Sequence, residues 1–257
     1  MNLVVNGALG YMGREVVGLC ECGYRGARLA FGVDRDGLGC ENIYPSFSSA
    51  PPPDGVDCII DFSHHTSLAE LLDFALRYSI PTVIATTGHT EAERTMILNA
   101  SRHIPIFFSA NMALGVALLV ELARWCALAL PEAEIEIIEK HHSRKADAPS
   151  GTALMIANAI RDVRPDTAVK NGRSGIARRT QSEIGIHAVR MGALVGEHEV
   201  MIATKNQTIT LKHEAHSRTL FAEGAIAAAE FTVGCECGLY DMKILVSGER
   251  EREEQRI

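Results

Sequence analysis

Short apolar runs alternate with helical patterns through roughly the first hundred residues, and no other feature of the sequence restricts the fold as much. Residues 3–6, 27–34, 56–62, 82–86 and 104–108 are strand-like, mostly short and apolar, as strands covered on both faces are. Strands separated by helices in this rhythm predict a parallel sheet, because a parallel pair needs a crossover long enough to hold a helix. Residues 46–55 contain Pro51-Pro52-Pro53 and read as a surface connection rather than a helix.

Beyond an apolar stretch at 112–130 the pattern changes. Residues 133–140 alternate, 183–212 supply several more strand-like runs broken by Gly and Asn, and an Ala-rich helix returns at 218–230. A second, more antiparallel sheet is expected there. A last apolar run at 242–246 precedes a charged tail, 249–256, expected to fray. The 112–130 stretch is the most membrane-like in the chain, but Glu121 and Arg124 interrupt it. Each costs about 2.5–3.5 kcal/mol at a bilayer centre, so the stretch reads as a buried helix.

With 257 residues, 47% hydrophobic and 22% charged, the chain has material for a substantial core and is too ordinary to be disordered, fibrous or coiled-coil. The 25 Lys+Arg against 32 Asp+Glu leave a formal charge of -7, so nothing attracts the chain generally to nucleic acid or an anionic membrane. An anion site must therefore be local. An aromatic content of 5% and the lack of a recognition motif also speak against nucleic acid. The start, Met1-Asn2-Leu3-Val4-Val5, has neither a basic nor a long apolar region, so a cytoplasmic location is expected. The seven cysteines are expected as reduced thiols. Cys20-Glu21-Cys22 and Cys235-Glu236-Cys237 have C-x-C rather than C-x-x-C spacing, and no metal is expected.

Gly7, Gly10 and Gly13 follow the first strand and lead into a helical stretch at 14–20. Such a turn lets a pyrophosphate approach the backbone closely and rest on a helix N-terminus. Asp34 ends the second strand about twenty residues later, where a carboxylate accepts from an adenosine ribose hydroxyl. Arg35 beside it suits a 2′-phosphate that Asp34 repels, so NADH and NADPH both stay open.

The most informative segment runs from Glu139 to Ala153. His141 and His142 leave the end of the alternating strand with side chains in different directions, one to face a site and the other to brace it. Lys145 follows, and Pro149-Ser150-Gly151-Thr152 opens a helix reaching about residue 163. Ser150 as N-cap, the first-turn amides of Gly151 and Thr152, and the Lys145 charge make a pocket for a small carboxylate, with a histidine placed to move a proton. Taken one at a time, these residues also fit a capped helix, a packed loop histidine and a solvated lysine.

The chain resembles the 4-hydroxy-tetrahydrodipicolinate reductase family, also called dihydrodipicolinate reductase, of bacterial lysine and diaminopimelate biosynthesis. The resemblance spans nearly the whole chain. It includes Gly7-Ala8-Leu9-Gly10-Tyr11-Met12-Gly13, Asp61-Phe62-Ser63, Thr86-Thr87-Gly88, and Asn111 with Gly115-Val116. The most specific part is Glu139, His141, His142, Lys145, Asp147, Pro149, Ser150, Gly151 and Thr152 at their spacing. Arg190-x-Gly192, Val195-Gly196-Glu197-His198, His213, Arg218 and Gly238-Leu239-Tyr240-Asp241-Met242 follow in order.

The resemblance implies an α/β fold: a Rossmann-type parallel sheet domain at 1–111 and 220–257, which binds the dinucleotide, and a central mixed α+β sheet domain at 112–219 for substrate and oligomerisation. It implies a homotetramer joined through the central sheets. NADH or NADPH would reduce ring C4 of 4-hydroxy-tetrahydrodipicolinate to give tetrahydrodipicolinate and water. His141 matches the proposed general acid and Lys145 a proton donor or charge stabiliser. His142, Lys145, Ser150, Gly151, Thr152 and Thr87 match dicarboxylate contacts. Gly7, Gly10, Tyr11, Met12, Gly13, Asp34, Arg35, Phe62, Thr86, Gly88, Ala110 and Met112 match the cofactor side.

Three departures from the family pattern stand out. Tyr11 stands where many members carry arginine near the cofactor phosphates, Ala85 replaces a glycine, and Met112 a common phenylalanine near the nicotinamide. The missing charge at Tyr11 and the retained Asp34 lead to an expectation of dual cofactor use tilted toward NADH. Two further readings remain beside this one: another two-domain nicotinamide-dependent amino-acid oxidoreductase, and a non-catalytic dinucleotide sensor. Lys170, Arg173, Arg178 and Arg179 form a further basic stretch that reads as solvated.

Overall fold

The structure, a computed structural model, describes residues 1–248, so the charged tail at 249–256 lies outside the described residues. The chain divides into two units, one made of Met1–Leu114 with the segment from Thr219 onward, the other of Gly115–Arg218.

The first unit is a seven-stranded parallel sheet. Its strands are β1 (Asn2–Asn6), β2 (Arg28–Val33), β3 (Ile43–Tyr44), β4 (Cys58–Asp61), β5 (Thr82–Ile84), β6 (Pro105–Phe108) and β12 (Gly238–Tyr240). Leu3, Val4, Val5, Ile59 and Ile60 have no exposed surface, which is why these runs are apolar on both faces. Helices α1 (Tyr11–Glu21), α2 (Leu68–Tyr78), α3 (Glu91–Ala100), α6 (Thr219–Val233) and α7 (Met242–Ser247) belong to the same unit. Val4, Ile59, Ile84 and Ile106 form one core with Leu68, Leu71 and Phe74 of α2 and Ile97 of α3. Phe231 of α6 meets Phe107 of β6 edge-on at 6.3 Å.

The strand order is β12-β6-β5-β4-β1-β2-β3. From β1 the sheet grows in both directions, so the loops after β1 and β4 leave the sheet at its topological switch point, the usual place for a ligand in such sheets.

The five expected strands are all present. Sequence patterning overlooked β3 and β12, which at two and three residues are too short to show a period. The connection at 46–55 contains one tight helical turn, Phe47–Ser49, that buries Phe47 against Phe74.

The second unit holds a five-stranded sheet ordered β11-β10-β7-β9-β8. Its strands are β7 (Glu134–His141), β8 (Ala168–Asn171), β9 (Glu183–Arg190), β10 (Gly196–Ala203) and β11 (Thr208–Ala215). The sheet is mixed: β10 runs antiparallel to β7 and β11, while β9 runs parallel to β7 and β8. An antiparallel reading suited 183–212 because those strands follow one another through short breaks, but β9 pairs with β7, not with β10.

Helix α4 (Leu114–Ala129) corrects the expectation of a buried helix. Val116, Leu119, Val120 and Ala123 are buried, whereas Leu118, Leu122, Trp125 and Leu128 are exposed. Glu121 and Arg124 pair at 2.9 Å one turn apart. No helix among the described residues is long and apolar enough to cross a membrane. Helix α5 (Gly151–Val163) follows the motif segment.

Candidate active site

In the first unit the expected cofactor residues follow the carboxyl ends of five parallel strands. Gly7 leaves β1, Asp34 and Arg35 leave β2, Phe62 leaves β4, Thr86 to Gly88 follow β5, and Ala110 and Met112 follow β6. Gly7 has φ 78°, and a Cβ there would stand 2.6 Å from the Phe62 carbonyl. A Cβ on Gly13 would stand 2.0 Å from the Gly7 carbonyl. These two glycines are demanded by the turn itself; Gly10 is the milder case at 3.2 Å. Gly13→Ala is therefore expected to destabilise the first unit by at least about 2 kcal/mol, read as a urea midpoint shift. An unchanged midpoint would contradict this packing.

Gly10 caps α1 without a side-chain hydrogen bond, and no acidic residue occupies the first turn, a setting that favours an anion. Asp34 is held in place by the amides of Leu9 at 3.0 Å and Asp36 at 3.1 Å. Arg35 is 92% exposed, within 3.8 Å of Asp36. Tyr11 is exposed, whereas Met112 is only 2% exposed and sits in the core rather than at the surface.

At the switch point Asp61 and Ser63, motif positions in the sequence, join Asn6 in one bonded polar group. Asp61, at the end of β4, is buried and accepts from Asn6 Nδ2 at 2.8 Å and Ser63 Oγ at 2.5 Å, tying the ends of β1 and β4 together. Burial raises its carboxyl above the ordinary range, against these hydrogen bonds.

In the second unit, β7 alternates buried and half-buried positions, so Ile135, Ile137, Glu139 and His141 share the buried face. An acid and a histidine thus stand where two more aliphatics would otherwise be. Glu139 is fully buried. Its carboxylate accepts from His141 Nδ1 at 2.5 Å, the Ser150 amide at 3.0 Å, and Arg190 of β9 through two bonds of 2.7 Å. Burial works to raise the Glu139 carboxyl, and the bonds from Arg190, His141 and Ser150 outweigh it, leaving it below the usual range. His141 lies below the ordinary imidazole value, chiefly because burial disfavours its cation, against the pull of Glu139.

Ser150 caps α5, its Oγ accepting from Ala153 N at 3.2 Å and meeting His198 Nε2 of β10 at 3.0 Å. Burial, with His141 close by, pushes His198 down to about 4. The ring of His198 meets that of His141 edge-on at 5.2 Å. Lys145 Nζ pairs with Asp147 at 2.8 Å, and Arg190 reaches the Asp147 carbonyl at 2.6 Å. The His142 amide donates to Leu194 O at 2.9 Å, and the ring Nδ1 of His142 is buried without a hydrogen-bond partner among the described residues.

A family model described as "Dihydrodipicolinate reductase, N-terminus" matches residues 1–112, and one described as "Dihydrodipicolinate reductase, C-terminus" matches 115–246. The chain belongs to the dihydrodipicolinate reductase family. It is 43% identical to the 4-hydroxy-tetrahydrodipicolinate reductase of Caldanaerobacter subterraneus subsp. tengcongensis over 96% of this chain and 98% of that one. It is 39% identical to the enzyme of the same name from Clostridium novyi over 93% and 96%. A dipicolinate-bound dihydrodipicolinate reductase from Paenisporosarcina sp. TG-14 shares the fold, with a TM-score of 0.81 at 23% identity over 96% of this chain and 98% of that one. As a member of the dihydrodipicolinate reductase family, the chain is a nicotinamide-dependent oxidoreductase.

The fold of this dihydrodipicolinate reductase family member gathers His141, His142, Lys145, Ser150, Gly151 and Thr152 in the second unit, while Thr87 belongs to the first. The Ser150 hydroxyl is already engaged by the helix cap and His198. Glu139, Arg190 and His198 were legible as motif positions but not as a bonded group. Position 139 lies two residues before His141, hence on the same face of β7, and that spacing was the available signal.

Proposed function

We propose that this chain reduces 4-hydroxy-tetrahydrodipicolinate to tetrahydrodipicolinate with NADH or NADPH, the first unit holding the dinucleotide and the second the dicarboxylate. The observation that carries the reading is the meeting, in one unit, of Lys145, the N-terminus of α5 and a histidine fixed by a buried carboxylate. Gly7, Gly10, Tyr11, Met12 and Gly13 take the pyrophosphate, and Asp34 and Arg35 the adenosine ribose. Phe62, Thr86, Gly88 and Ala110 complete the cofactor side, whereas the buried side chain of Met112 has no surface to offer a cofactor. The side-chain-free cap of α1 and the pre-oriented Asp34 carboxylate fit such a group.

When bound, the reduced nicotinamide supplies the hydride that ring C4 receives as the hydroxyl departs as water, with one proton consumed. Lys145 and the first-turn amides of α5 hold the substrate carboxylates, assisted by His142 and Ser150. The partner of Lys145, Asp147, is 57% exposed, so their ion pair is weak enough for a substrate carboxylate to displace. With Nδ1 bonded to Glu139, Nε2 of His141 is the nitrogen that gains and gives the proton. A doubly negative ligand beside His141 adds to the pull of Glu139 and favours the imidazolium.

The reaction is tested by adding freshly generated substrate to enzyme and NADH: absorbance of the reduced nicotinamide falls if the reading is right, and a flat trace overturns it. Asp34 repels a 2′-phosphate, while the exposed Arg35 attracts one, so both cofactors are used with NADH ahead. Steady-state kcat/KM with each checks this, and a preference for NADPH of about a hundredfold, or about 2.7 kcal/mol, would refute it. The reading also carries the homotetramer and the cytoplasmic location of the family.

A further inference from the structure

We propose that Glu139 is the positioning residue for the proton-transfer step, fixing the tautomer and orientation of His141 while locking that ring to the mouth of α5 and the end of β9. The inference rests on the reading that His141 moves the proton. Four donors from three separate segments converge on this fully buried carboxylate: His141 Nδ1 of its own strand, the Ser150 amide before α5, and two guanidinium nitrogens of Arg190 on β9. A carboxylate can accept all four, and no neutral side chain of the same shape can.

The groups facing His141 divide in sign. Arg190 and Lys145 disfavour its cation, Glu139 favours it, and burial weighs against it most. His198 of β10 packs edge-on to the ring, is largely neutral near pH 7 with a value about 4, and pairs in register with His213 of β11. Asp147 faces Lys145 rather than His141. Across the sheet, Gly196 leaves room for the ring: a Cβ there would stand 3.1 Å from His141 Nε2. Among the described residues Glu139 is therefore the one anion bonded to the imidazole, and its bond leaves Nε2 as the working nitrogen.

The test is Glu139→Gln, whose amide presents one acceptor and one donor to the same four donors. The limb of the kcat/KM profile that depends on protonated His141 moves to lower pH by about 1 unit or more, since the anion that favoured the cation is gone. Nitrogen-15 NMR of the neutral ring, which carries its proton on Nδ1 in the wild-type protein, moves toward the Nε2–H form in the variant. A folded variant with an unchanged limb and tautomer overturns the proposal. Should the variant not fold, the wild-type spectrum decides: Nδ1–H supports the assignment, and Nε2–H overturns it. That spectrum needs no turnover, so absence of the reductase reaction and failure of this inference are told apart.

Discussion

Lys145→Ala is expected to lower kcat and raise KM together, while His141→Gln lowers kcat by about a hundredfold or more with KM little changed. The difference follows from where each group acts. In the proposed site Lys145 would bind a carboxylate present in both ground and transition states, and a hydrogen bond to a charged partner contributes about 1.5–3 kcal/mol, enough for a KM rise of about tenfold or more. Its charge also opposes the negative charge that builds as hydride enters a conjugated imine. The role proposed for His141 is on the proton, typically worth about 10²–10⁴ in rate, and its bond to Glu139 is made through Nδ1, leaving the proposed Nε2 function separate from it. Steady-state kinetics at saturating cofactor separate the two patterns. Unchanged kcat in both variants would remove the mechanism.

Arg190→Met is expected to destabilise the protein by about 3–5 kcal/mol, because it strips two hydrogen bonds from a carboxylate with no access to water. In the wild-type chain Glu139 lies below the ordinary carboxylate range. Its stabilising contribution is thus complete above that range and is lost as pH falls through its lowered folded value. Without Arg190 the burial that already works to raise Glu139 gains ground, so the deficit of the variant is largest near neutral pH and shrinks in acid as the carboxyl protonates. Urea unfolding at neutral and acid pH measures both points. A loss under about 1 kcal/mol at neutral pH would mean that the pair is not the keystone the geometry makes it.

The parallel sheet was legible because Leu3, Val4, Val5, Ile59 and Ile60 are covered on both faces and so form unbroken apolar runs. The turn after β1 was legible as well, although the reason for two of its glycines was not. Gly7 and Gly13 are required by backbone carbonyls that approach from other segments, a tertiary fact. The exposed face of α4 escaped for a similar reason: Leu118, Leu122 and Trp125 are apolar at helical spacing whether or not anything covers them. In the candidate site, the Ser150 cap could be read from local spacing, whereas spacing alone left open which of His141 and His142 faces a ligand. The bond between Glu139 and Arg190 joins residues 51 apart in the chain through the pairing of β7 with β9, and no local pattern announces it.

The most direct measurement is a crystal structure of the enzyme with pyridine-2,6-dicarboxylate. The account predicts one carboxylate within hydrogen-bonding distance of Lys145 Nζ and the amides of Gly151 and Thr152, with His141 Nε2 turned toward the ring and Nδ1 still on Glu139. A dicarboxylate seated away from both Lys145 and the first turn of α5 would contradict it.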